Sequence, residues 1–253
     1  MAANPKTAHM IDTGQKEDAA GDWSREATPR SISVPQVVSQ VGFWSAILSG
    51  IFAFGWFAGM VVQTILSPPE PWTGIDAFAR SFRFIQMLNF IPSLPLASAF
   101  LVLMVCVYFY ASEEKKIWGL LGLAFTIVYS VMASINYLIQ LLVVRQSLAL
   151  GETEGLGLFA HGNTHSVFWA LASSYAYMSL AMLFAAWVFG SNGLERWVHW
   201  LFIIVGVTAP FQFVGVIFEL GLLVGAPAGL IWSIATPLAC FLLAVLFKRA
   251  ERK

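Results

Sequence analysis

Between Gly42 and Leu66 the chain reads GFWSAILSGIFAFGWFAGMVVQTIL, an unbroken stretch without one ionised side chain. A helix needs about 20 apolar residues to cross a hydrocarbon layer roughly 30 Å thick, so this stretch is long enough to do it. Composition argues that it does. With 58% hydrophobic and 11% charged residues, 21 Phe and 10 Trp, the chain is too poor in polar side chains to cover a water-facing surface. Five further windows of the same kind follow, at about 84–111, 117–144, 165–190, 197–220 and 227–247. The expected fold class is therefore all-α: a polytopic membrane protein whose bundle of six transmembrane helices occupies residues 39–248.

Residues 1–38 contain no apolar run and mix both charge signs with small polar residues, the composition of a disordered tail. They also lack a short hydrophobic core followed by a small-residue cleavage site, so the first membrane helix is expected to direct insertion itself. Residues 249–253 form a short basic tail, suited to anionic lipid at about 1 kcal/mol per charge near the surface. Six crossings put both termini on one side. If that side is the cytoplasm, eleven basic residues lie inside and only Arg80, Arg83 and Arg145 outside, a bias that predicts both termini cytoplasmic in a bacterial inner membrane. Trp72, Trp118, Trp197 and Trp200 fall near expected helix ends, where an indole straddles the headgroup region.

Alternating helix direction brings polar residues from different windows to one level. The second window begins with Gln86, Asn89 and Ser93, on one face at steps of three and four. The third ends with Tyr129, Asn136 and Gln140 on one stripe and Arg145 at its mouth. The fourth opens with Thr164 and His165, followed by Trp169 and Ser173. The fifth carries Gln212 and Glu219, and the first ends near Gln63. These groups all fall in the outer halves of their helices. A buried amide without partners costs about 1 to 3 kcal/mol, so they are expected to face one another or a wet cavity. Pro92 and Pro95 beside Asn89, and Pro210 beside Gln212, free helix carbonyls at the same level.

An outward-facing polar vestibule is the expected result, with Gln86, Asn89, Asn136, Gln140, Arg145, His165, Trp169, Gln212 and Glu219 as ligand-binding residues. The segment HGNTH, His161–His165, forms its lip, with Asn163 or Thr164 as a helix cap and His165 directed toward Glu219 and Arg145. The alternative is a structural network of interhelical hydrogen bonds, each contributing about 0.6 to 2 kcal/mol.

Other chemistry is thinly represented. His161 and His165 have a spacing that can present two metal ligands, but Gly162 and Asn163 interrupt it and no thiol or carboxylate is in register. Cys106 and Cys240 sit inside helices as small apolar packers. No cofactor is expected, and zero net charge gives no reason to expect nucleic acid. Gly55 and Gly59 in GWFAG allow close helix approach, within the chain in preference to a homodimer.

The passage from FWAL, Phe168–Leu171, to FGSNGLERWVHWLFIIVGV, Phe189–Val207, resembles a family of bacterial six-helix membrane proteins catalogued as a domain of unknown function. The resemblance implies a fold and no activity. Three functions fit the residues. The first is binding or passage of a small polar or amphiphilic molecule through the vestibule; the second is an accessory subunit of a larger membrane complex. The third is an enzyme with His165 as base and Glu219 orienting it, which lacks a visible nucleophile.

Overall fold

The computed structural model describes residues 35–218, 220 and 225–252. Among them the secondary structure is helical throughout. Six helical segments are long and apolar enough to cross a membrane: Gln36–Leu66, Phe84–Tyr110, Glu113–Leu150, Val167–Val188, Gly193–Ile217 and Ala226–Ala250. The chain is a multi-pass membrane protein. The expected tail 1–38 lies almost wholly outside the described residues, as does Glu219.

The first span is a single helix, α1 (Gln36–Leu66), and a short helix, α2 (Ile75–Ser81), follows in the connector. The second span begins with a 3₁₀ turn, Phe84–Met87, and continues as α3 (Phe90–Tyr110). The third joins α4 (Lys116–Leu138) through a π-helical stretch, Ile139–Val144, to α5 (Arg145–Leu150). The fourth comprises α6 (Val167–Ala172) and α7 (Ser174–Ala185), and the fifth α8 (Gly193–Gly206) and α9 (Ala209–Ile217). The sixth is α10 (Ala226–Ala250).

Two boundaries differ from expectation. Helix α1 starts at Gln36, just after Pro35, because Val37, Val38 and Val41 extend the apolar run; residues 36–38 thus belong to the bundle. At the other end α10 continues through Ala250, with Lys248 and Arg249 in its last turn, where cations favour the negative end of the helix dipole.

Polarity cannot choose which face of such helices packs inward, because they are apolar all round. Size does. Helix α1 buries Ser39, Gly42, Ser45, Ala46, Ser49, Gly50 and Ala53, and turns Trp44, Leu48, Ile51 and Phe54 outward. Trp44 is 63% exposed, a placement that suits contact with lipid. Small inward residues let backbones approach. A Cβ added at Gly59 would lie 2.9 Å from the backbone of Asn89, and one at Gly55 3.2 Å from Pro92, so GWFAG packs within the chain against the start of the second span.

Packing follows chain order. Helix α1 lies against α3, α3 against α4, α4 against α6 and α7, α7 against α8, and α8 against α10, which returns to α1. The six spans thus close a ring of sequence neighbours. Its centre is filled by Phe100, Met104, Tyr129, Met178, Met182, Trp232 and Leu243, all buried. At one end of the bundle lie the connectors 67–83 and 151–166, which touch through Phe78 and His161. At the opposite end Tyr110 bonds Glu195 at 2.5 Å, and Lys115 donates to the carbonyls of Val188 and Phe189.

Candidate functional site

The third span carries the residues on which the site is built. Its π-helical stretch begins at Ile139, immediately before Gln140, and Gln140 and Val144 are buried within it. Such wide turns re-aim side chains and recur at functional sites. Here the result is that Gln140 points to the connector: its Nε2 donates to the Phe159 carbonyl at 2.7 Å, and its Oε1 lies 3.3 Å from His161 Nδ1. One turn deeper, Asn136 Nδ2 donates to the Phe168 carbonyl at 3.2 Å. Trp169 Nε1 donates to the His161 carbonyl at 3.1 Å. Three of the expected site residues, Asn136, Gln140 and Trp169, therefore meet, and together they hold the segment from Phe159 to Phe168 against the bundle.

The connector supplies its own turns. Asn163 Oδ1 accepts the His165 backbone N–H at 3.0 Å, and its Nδ2 donates to the Gly157 carbonyl at 2.8 Å. Asn163 thus shapes an Asx turn and does not cap the helix. Ser166 occupies the cap position of α6, with no side-chain cap bond. His165 lies on the exposed side of the connector. The inward histidine is His161, whose ring is walled by Phe78, Phe90 and Phe168 at 5.1, 5.3 and 6.0 Å. Burial pushes its pKa down from 6.5 to about 4, which keeps the imidazole neutral.

The remaining expected residues stand apart. Gln86 Nε2 donates to Ser67 Oγ at 3.1 Å, across the first connector, and Asn89 lies against Gly59. Gln212 Nε2 donates to Thr208 Oγ1 at 2.8 Å and to Ser179 Oγ at 2.9 Å. That triad spans the break between α8 and α9 just before Pro210, so the freed polar level at this proline is closed by hydroxyls of its own span and of α7. Arg145 Nε donates to the Leu141 carbonyl of its own span at 2.9 Å. Glu219 is outside the described residues.

Beneath the connector runs a column of rings that reaches the middle of the bundle. Phe90 stacks beside His161, Phe168 and Tyr137 within 5.5 Å. The Tyr137 hydroxyl lies 2.6 Å from that of Tyr175. The Tyr175 ring in turn meets Trp232 at 4.9 Å, Trp56 at 5.7 Å and Tyr129 at 5.9 Å. From Gln140 to Tyr129 the helix rise makes this column about 17 Å deep. Five polar atoms along it are buried and meet no hydrogen-bond partner among the described residues: Asn89 Oδ1, Asn136 Oδ1, Ser174 Oγ, Tyr129 OH and Trp232 Nε1. Buried polar atoms are paired in the great majority of cases, so orphans strung along one aromatic column are a functional signal.

Tyr129 and Asn136 share a stripe that sequence exposes. Tyr137, Tyr175, Trp56 and Trp232 do not stand out, because each is one aromatic among many and its neighbours in space are far away in the chain. The only available cue was that Tyr137 adjoins Asn136.

A consequence follows for Gln140→Leu. It leaves the Phe159 carbonyl without its donor and releases one anchor of the connector. Stability is expected to fall by about 1 to 3 kcal/mol in detergent-solubilised protein followed by thermal melting. Limited proteolysis between residues 151 and 166 should accelerate; an unchanged melt and cleavage pattern would show that the bond does not hold the connector.

No family model matches the chain, and no curated protein or solved structure matches it.

Proposed function

We propose that the protein binds a small amphiphilic molecule inside the bundle, beneath the connector 151–166. One observation carries the reading: the unpartnered Tyr129 hydroxyl, Trp232 Nε1 and Asn136 Oδ1 are buried beside a continuous wall of aromatic rings. Indole nitrogen can only donate, an amide oxygen can only accept, and a phenol does either. A flat molecule with an apolar body that carries both a carbonyl, to accept from Trp232 Nε1 and the Tyr129 hydroxyl, and a hydroxyl, to donate to Asn136 Oδ1, matches all three and can stack on Tyr175 and Trp56. Entry requires the connector to release its bonds to Asn136, Gln140 and Trp169, so these residues are the gate and the rings beneath are the seat. The chemistry is recognition; no nucleophile or paired base is part of it.

The test is saturable quenching of tryptophan fluorescence by a hydroxylated naphthoquinone, a flat dicarbonyl that also carries one hydroxyl donor, used as the probe. Tyr129→Phe removes one hydroxyl and should weaken binding about fivefold to tenfold, with Asn136→Leu similar. Phe100→Ala supplies the comparison for a purely structural loss. If Tyr129→Phe and Asn136→Leu melt earlier, as Phe100→Ala does, while probe affinity holds, the polar groups are glue between helices and the binding reading falls.

The same reading has both termini in the cytoplasm of a bacterial inner membrane, so that the connector faces the periplasm. Supporting it is the bias of eleven basic residues to three. A reporter fused to the C-terminus that is active only in the periplasm would reverse the orientation.

A further inference from the structure

At the end of the bundle away from the connector 151–166, a cleft of about 980 Å³ opens on the lipid-facing surface between α1 and α3. One wall is Trp44, Leu48 and Phe52 of α1; the other is the small-residue face of α3 at Pro95, Ser98 and Ala99. The cleft exists because α3 is small where α1 is large. Its mouth is different in kind. Gln40, Lys248 and Glu251 line it, with Lys248 Nζ 2.8 Å from Glu251 Oε2 and Gln40 Nε2 3.1 Å from Glu251 Oε1. Lys248 also stands 5.5 Å over the Phe43 ring.

From Gln40 at the mouth to Phe52 at the inner end, α1 rises about 18 Å, close to the depth of one leaflet of hydrocarbon. The cleft therefore has the length of a single acyl chain and places its polar mouth at headgroup level. Charge selects the headgroup. Lys248, Arg249 and Arg252 outnumber Glu251 by three to one at the end of α10. Lys248 and Gln40 hold the Glu251 carboxyl below its usual range, with Arg252 adding to the effect, so Glu251 stays ionised and competes with an outside anion for Lys248.

We infer that this cleft is a binding site for one anionic phospholipid of the adjoining leaflet, its acyl chain between α1 and α3 and its phosphate on Lys248. Glu251 is the internal anion that the phosphate displaces. The site is separate from the seat beneath the connector, and neither depends on the other.

Trp44 in the wall makes occupancy measurable. The full-length protein is reconstituted into bilayers of phosphatidylcholine with a fixed fraction of brominated phosphatidylglycerol or brominated phosphatidylcholine, and the Trp44 contribution is taken as the difference from Trp44→Phe. Brominated phosphatidylglycerol is expected to quench Trp44 more efficiently than brominated phosphatidylcholine at equal mole fraction. Lys248→Gln should cut that preference about fivefold. Glu251→Gln should increase it. Ser98→Leu, at an exposed position that leaves the bundle core untouched, fills the cleft and should lower quenching by both lipids.

Equal quenching by the two lipids in the unaltered protein, or a preference that survives Lys248→Gln, overturns the assignment of an anionic headgroup. Quenching by both that Ser98→Leu leaves intact overturns the cleft as the place where the chain lies. No quenching of Trp44 by either lipid, together with cross-linking through this face, means that a second copy covers it, and the proposal fails.

Discussion

Replacing Gly206 by valine is expected to destabilise the bundle by about 3 kcal/mol or more, measured as loss of the folded fraction on thermal or SDS titration. At this position a Cβ would lie 2.5 Å from Leu183 Cβ and 2.8 Å from its Cα. A flexible side chain could swing away, but the Leu183 backbone moves only if α7 moves. Helix α7 is not free to do so, because Ser179, one turn from Leu183, is tied to Thr208 at 3.2 Å and receives the Gln212 amide. Valine therefore strains the packing and pulls apart the hydroxyl–amide triad that closes the break before Pro210. Gly229→Ala is the control. Nothing lies within 4 Å of a Cβ there, and alanine is the better helix former, so stability should hold or rise. Comparable losses from both substitutions would mean that backbone contact between α7 and α8 does not set the cost.

Acidification is expected to loosen the connector through His161. Its pKa is about 4 in the fold against 6.5 unburied, so between these values the unfolded chain binds the proton and the native one does not. Stability is therefore complete above about pH 6.5, falls as pH drops through that value, and levels off below about pH 4. The full drop attributable to this one group is up to about 3 kcal/mol. Protonation also puts a charge among Phe78, Phe90 and Phe168, whose enclosure is the cause of the shift. The measurement is a series of denaturation curves from pH 7.5 to 4 for the native sequence and for His161→Phe. Phenylalanine fits an aromatic pocket and cannot titrate, so its curve should be flatter in that window even if its stability at pH 7.5 is lower. Parallel curves would exclude His161 as the acid-sensitive group.

The number, order and approximate limits of the spans were legible because lipid imposes a length and a composition that each window satisfies independently. Helix α1, for example, was recognisable from Gly42–Leu66 alone, although its first turns were not, since the valines after Pro35 look like the end of a polar tail. The level of the polar residues was legible too: Asn136 and Gln140 do lie at the connector end, as their position late in the third span implied. What they bond was not. Side-chain amides can pair with one another or with main-chain carbonyls, and pattern along one helix does not say which, so the carbonyls of Phe159 and Phe168 could not be foreseen as the partners. The same applies to the choice between the histidines. His161 and His165 are one turn apart on paper, and it is contacts from elsewhere in the chain, Gln140 to the His161 ring and Trp169 to its carbonyl, that accompany His161 into the aromatic pocket. The π-helical stretch after Leu138 left no mark in the apolar sequence ILE-GLN-LEU-LEU-VAL-VAL, because its widened turns arise from the surrounding packing.

The closed order of the spans bears on how the chain is made. Each of the second to fifth spans packs on the one just synthesised, so docking can proceed pairwise as helices leave the translocon one after another. The last to arrive, α10, is the element that rests on both α1 and α8. Until it is delivered, the small-residue flank of α1 at Gly42 and Gly50, which receives Phe247 and Phe241, has no cover. A chain interrupted before that point would present to quality-control proteases a partly assembled arc with its opening along one seam.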